Sequence, residues 1–237
     1  MKPRTILAIA ALSQCLCLSV GAQTARLKDH SDWWSILNEN SRGLKTNASN
    51  RDVDPKTFRI ATLDLATVGF NDITTKLGKT ARIQRGDAST SREQACYRSA
   101  TGGAPVYLIF EFGEDESNFY LFADGADWKG RSSCARSKQL STETSTTSGL
   151  KLGLTQDQFK AILGQPDATS ENRLVYSRSV KMRSTLEQFE RQRKEYPETL
   201  SDRLAHEKFD FYTASIYIEA KFIDSKLSYL AVSKSGE

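Results

Sequence analysis

The sequence predicts an α+β fold of two tandem units, each a short capped helix followed by an antiparallel sheet, with a charged helical insertion in the second unit. Three observations predict it. Residues 149–166 (GLKLGLTQDQFKAILGQP) echo residues 63–80 (LDLATVGFNDITTKLGKT) at a fixed offset of 86. VYLIFEF (106–112) matches IYIEAKF (216–222) at an offset of 110. The 24 residues by which the two offsets differ fall in a charged, helix-patterned stretch, 184–208.

The chain opens on Lys2 and Arg4, followed by an apolar run from Ile6 to Val20 and the small residues Gly21 and Ala22. That order of charge, apolar core and small residues predicts a secretory signal peptide over 1–22. The run is short of the ~20 apolar residues a spanning helix needs. Gln14 precedes Cys15 and Leu16 precedes Cys17, so neither cysteine has the small preceding residue of a lipid-attachment site. The expectation is a periplasmic or secreted protein with no transmembrane segment in the mature chain. Loss of Lys2 and Arg4 lowers the formal charge from +4 to +2. No basic stripe with interleaved aromatics points to nucleic acid. Cys96 and Cys134 are then the remaining cysteines, most simply a disulfide; free thiols or an intermolecular bridge are the other readings. Closing that loop is worth about 4 kcal/mol on chain entropy.

Composition marks the seams. Residues 23–57 read as an N-terminal helix, SDWWSILNEN, with Trp33, Trp34 and Leu37 as its apolar side, then a polar linker over 38–57. The first unit spans 58–140, a Ser/Thr linker 141–148 (STETSTTS), and the second unit 149–237. In the second unit Thr155 and Gln158 form a capping box, Leu154 and Phe159 a hydrophobic staple, and Gly164 followed by Pro166 a stop. The first repeats the logic with Gly69, Asp72, Val68, Ile73 and Gly78. Period-two alternation puts Val106, Leu108, Phe110 and Phe112 on one sheet face, with Ile216, Ile218, Ala220 and Phe222 as counterparts. Return strands follow at 119–123 and 227–232, and earlier strands at 81–86, 93–99 and 173–179. Within the insertion, Leu186, Phe189 and Tyr196 make a thin apolar stripe, and Pro197 breaks the helix.

The cap-helix signature GLTQDQFKAILGQP, followed by a strand containing Tyr, resembles the SmpA/OmlA (BamE) family of envelope proteins. The two-copy arrangement resembles the beta-lactamase inhibitory protein fold. That resemblance implies tandem helix-plus-sheet units presenting a concave sheet to a protein partner.

Catalytic signatures are weak. His30 and His206 lack metal-ligand spacing, no GxSxG elbow occurs, and the acids at 114–116, Asp124 and Asp127 suit solvated turns. No cofactor or metal is implied. The expected function is an exported, non-catalytic module, inhibitor-like in one version, binding an envelope or secreted protein through an open sheet face. Tyr107, Tyr120, Tyr217 and Tyr229 are its aromatic anchors, and Glu111, Glu219 and Lys221 set charge complementarity. A carbohydrate or cell-wall polymer binder using Trp33, Trp34 and Trp128 is the alternative, with a structural envelope protein or a hydrolase behind it.

Overall fold

The computed structural model describes residues 45–46, 55–65, 67–85, 91–100, 104–113, 116–123, 134–184, 186–195 and 201–236. The predicted signal peptide, Trp33, Trp34, Trp128, His30, Asp124 and Asp127 lie outside these residues.

The fold is α+β, with few helices on a mostly antiparallel sheet. After β1 (Lys45–Thr46) and a 3-10 turn (Pro55–Phe58), a small hairpin forms from β2 (Arg59–Ile60) and β3 (Leu63–Asp64). Helix α1 (Phe70–Leu77) leads into β4 (Ile83–Arg85), β5 (Arg92–Ser99), β6 (Val106–Phe112), β7 (Glu116–Ala123) and β8 (Ala135–Ser137). Helix α2 (Gln156–Leu163) then precedes β9 (Ala168–Ser170) and β10 (Arg173–Arg183). Helices α3 (Leu186–Glu195) and α4 (Asp202–Phe209) interrupt the path to β11 (Phe211–Ile223) and β12 (Lys226–Gly236). The main sheet runs β1-β9-β10-β11-β12-β7-β6-β5-β4, with β8 parallel to β5. Its two halves join where β12 pairs antiparallel with β7, Tyr229 opposite Phe122 through Ser235 opposite Glu116.

Both short helices are defined by their ends. At α2, the Gln158 N–H donates to Thr155 Oγ1 (3.2 Å) and the Thr155 N–H to Gln158 Oε1 (2.9 Å). At α1 the Gly69 N–H donates to Asp72 Oδ2 (2.8 Å). Each stops at a glycine with positive φ, Gly78 at 102° and Gly164 at 79°. Each stop is also tethered: the Tyr97 hydroxyl donates to the Gly78 carbonyl (2.8 Å), and the Tyr176 hydroxyl to the Gly164 carbonyl (3.1 Å).

The first sheet face carries the main core. Val106, Leu108 and Phe110 of β6 and Ile216, Ile218, Ala220 and Phe222 of β11 pack there with Ile73 and Leu77 of α1 and Phe159 of α2. Phe112, at the strand's end, is partly buried. Phe159 meets Tyr176 and Phe222 at 5.9 and 6.0 Å between ring centroids. The β11–β12 turn places Asp224 and Ser225 both at positive φ, as a two-residue hairpin with right-twisted strands requires.

The Ser/Thr segment is part of this framework. Thr146 donates its N–H to the Leu150 carbonyl (2.8 Å) and accepts the Leu150 N–H on Oγ1 (2.9 Å). The Thr147 N–H reaches the Arg59 carbonyl (2.8 Å), tying the segment to the small hairpin. In the insertion, Phe189, Ala205 and Phe209 form a separate small cluster, with His206 stacked on Phe189. Leu186 departs from the predicted stripe: it is 73% exposed. Among the described residues no helix is long and apolar enough to cross a membrane, which says nothing of a β-barrel.

Candidate functional site

Strand register builds the second face of the sheet, opposite the two capped helices. Residues directly opposite in an antiparallel pair share a face, so side chains line up in rows across the strands. One row runs Arg98, Tyr107, Phe122, Tyr229, Lys221, Arg173. The next runs Cys96, Ile109, Tyr120, Ala231, Glu219, Val175. A third runs Gln94, Glu111, Asn118, Ser233, Tyr217, Ser177. All three cross the β7–β12 junction without a break.

The alternation that points the seven proposed binding residues to this face holds, but their exposure differs. Tyr107, Tyr120, Tyr229, Glu111 and Glu219 are buried, none more than 1% exposed. Tyr217 and Lys221 are partly exposed. Aromatic rings stack along the first row, Tyr107 on Phe122 at 5.3 Å and Phe122 against Tyr229 at 6.3 Å. The disulfide between Cys96 and Cys134 closes this cluster at the β5 side. Among the described residues, no helical side chain joins it.

Two carboxylates are locked into the face. Glu111 accepts from the Gln94 amide, from Arg92 Nη1 (3.4 Å), from Asn118 Nδ2 (3.4 Å) and from the Tyr120 hydroxyl (3.5 Å). Arg92 also reaches Glu116 Oε2 (2.9 Å). Glu219 lies 2.7 Å from Arg173 Nε and 3.6 Å from Lys221 Nζ, and Lys221 in turn sits over the Tyr229 ring at 5.5 Å. Burial pushes the Glu219 carboxyl above its usual range, against the opposing pull of Lys221 and Arg173. Burial likewise raises the Tyr229 hydroxyl, and that of Tyr120, where Glu111 adds to the effect. Among the described residues the Tyr229 hydroxyl finds no hydrogen-bond partner.

Sequence reasoning named the carboxylates and missed their counterions. The cations missed are Arg92 beside Glu111 and Arg173 beside Glu219; the neutral Gln94 amide, opposite Glu111 in the register, was missed as well. Ser177, Ser179, Ser215, Ser233 and Ser235 were missed too. They surround Tyr217 at the β10–β12 end, where Ser177 and Ser179 are exposed and the others half-buried. This end is the accessible part of the face. Among the described residues no three His, Cys, Asp or Glu side chains converge as metal ligands would. Compared with family profiles, characterised proteins and solved structures, the chain gives no match.

Proposed function

We propose that the chain is an exported, non-catalytic binding module, made of two tandem helix-plus-sheet units, that engages another envelope or secreted protein through the second face of its sheet. The observation that carries this reading is the accessible patch formed by Tyr217 and the serines beside it, one row from the buried Glu219 and Tyr120. A half-exposed tyrosine on a flat polar surface supplies what a protein interface commonly needs, an aromatic anchor with a polar rim. The resemblance of the sequence to the SmpA/OmlA family and to the beta-lactamase inhibitory protein fold enters this proposal for its architecture alone.

The experiment uses the immobilised chain to capture proteins from an envelope extract, in parallel with Tyr217→Ala. A single enriched protein that is lost in Tyr217→Ala, with the urea midpoint unchanged, is the expected result. Capture that survives Tyr217→Ala removes this face from the interface. Retention on cell-wall polysaccharide with no protein present replaces the protein partner with a polymer. Tyr107→Ala is no substitute, because Tyr107 is buried and its loss perturbs the core.

A further inference from the structure

The outer edge of β10 is a second contact surface, distinct from the Tyr217 face. β9 pairs with β10 only over Arg173–Val175, whereas β11 pairs with it to Arg183. Backbone groups alternate sides along a strand. The Val175 carbonyl accepts the Asp167 N–H (2.9 Å), and the Ser177 N–H donates to Asp167 Oδ2 (2.7 Å), so the odd-numbered residues direct their backbone outward. Ser179 and Lys181 therefore turn their N–H and C=O groups to an edge that no strand occupies among the described residues.

Natural sheets blunt such edges with charge, and charge also decides what can pair here. Lys181 and Arg183 are both exposed, two residues apart, with side chains on the same face. A second copy of the chain paired antiparallel along this edge brings these cations against their own kind, which is destabilising. A strand with carboxylates at alternate positions meets both cations and all the free backbone groups.

The geometry points to the β10 edge, Ser179–Arg183, as a strand-addition site for an extended segment of a partner protein carrying acidic residues at alternate positions. The added strand extends the sheet beside the Ser179–Ser215–Ser235 row.

The test titrates the full chain with a blocked Thr-Val-Asp-Val-Asp-Val-Thr peptide, with its Lys-for-Asp counterpart, and with a version N-methylated at both Asp residues, whose N–H groups face β10 in an antiparallel pairing. Anisotropy reads affinity, and amide exchange reads protection at Ser179 and Lys181. The acidic peptide binds at least about tenfold tighter than the basic one, because opposite charges across strands attract and like charges repel. It protects both amides, and the N-methylated peptide does not bind. Lys181→Glu with Arg183→Glu reverses the preference on a solvent-exposed surface. Tyr217→Ala leaves peptide binding unchanged, so this site and the Tyr217 face fail or stand separately. Equal affinity for the two charged peptides, absence of amide protection, or self-association through this edge in sedimentation overturns the inference.

Discussion

Replacing Tyr176 by Phe removes one oxygen from a fully buried ring and leaves its packing on Phe159 intact. What is lost is the hydroxyl's bond to the Gly164 carbonyl (3.1 Å), which ties the end of α2 to β10. A neutral hydrogen bond contributes about 0.5–1.5 kcal/mol net, and more when its partner is stranded away from water. Gly164 is half-buried and Gly78 exposed, so both carbonyls can recover water in place of the tyrosine. The expected cost is therefore about 1 kcal/mol for Tyr176→Phe and the same for Tyr97→Phe. The two tyrosines are five strand spacings apart, about 24 Å. At that distance the double variant should lose about 2 kcal/mol, additive to within about 0.5 kcal/mol. Urea denaturation of the four proteins measures this through the midpoints at constant slope. A single variant indistinguishable from the parent denies its hydroxyl the tethering role. A coupling above about 1 kcal/mol denies the independence of the two tethers.

Arg173→Ala leaves the Glu219 carboxylate buried without its closest cation and should cost about 3–5 kcal/mol in chemical denaturation. Substituting both Cys96 and Cys134 by Ala opens a loop with a sequence separation of 38, predicting a loss of about 4 kcal/mol relative to the oxidised parent. Burial pushes the Tyr97 hydroxyl from 10.0 up to about 12. The folded state then holds a proton that the unfolded state releases, so stability is full below pH 10 and falls as pH rises towards 12. Tyr97→Phe should flatten part of that alkaline slope, and tyrosinate absorbance should show the Tyr97 titration delayed until unfolding.

Local signals proved legible where one residue type answers one backbone demand. Thr155 with Gln158, and Gly69 with Asp72, marked the helix starts; Gly78 and Gly164 marked the stops. Period-two alternation assigned Leu108, Phe110, Ile216 and Ile218 to one face and Tyr107 and Glu219 to the other. Exposure was not legible, because it depends on which strands become neighbours. Tyr107 and Tyr217 occupy matching places in the sequence, yet Tyr107 lies between Arg98 and Phe122 and Tyr217 between Ser177 and Ser233. The Ser/Thr run at 141–148 reads as a linker because hydroxyl side chains signal turns. Here the hydroxyl of Thr146 and the backbone around it fasten the segment to Leu150 and Arg59. Of the predicted insertion stripe, Phe189 is buried with Ala205 and Phe209, while Leu186, the first residue of α3, is exposed.

The two faces of the sheet follow different rules. At the offset of 110, the first face exchanges apolar for apolar: Val106 for Ile216, Leu108 for Ile218, Phe110 for Ala220. The second face exchanges Ile109 for Glu219 and Glu111 for Lys221, reversing charge at one position. Packing explains the first pattern, because both sites must seal the same kind of helix against the sheet. It does not explain the second. Each half solves its buried carboxylate separately, Glu111 with Arg92 and Gln94, Glu219 with Arg173 and Lys221. The accessible Tyr217 patch and the β10 edge, which no described strand occupies, both fall in the second half, alongside the Glu219 set. A partner reading both would contact the chain asymmetrically. It would bear on β10–β12 and leave β5–β7 as the support that holds the Tyr229 row in place.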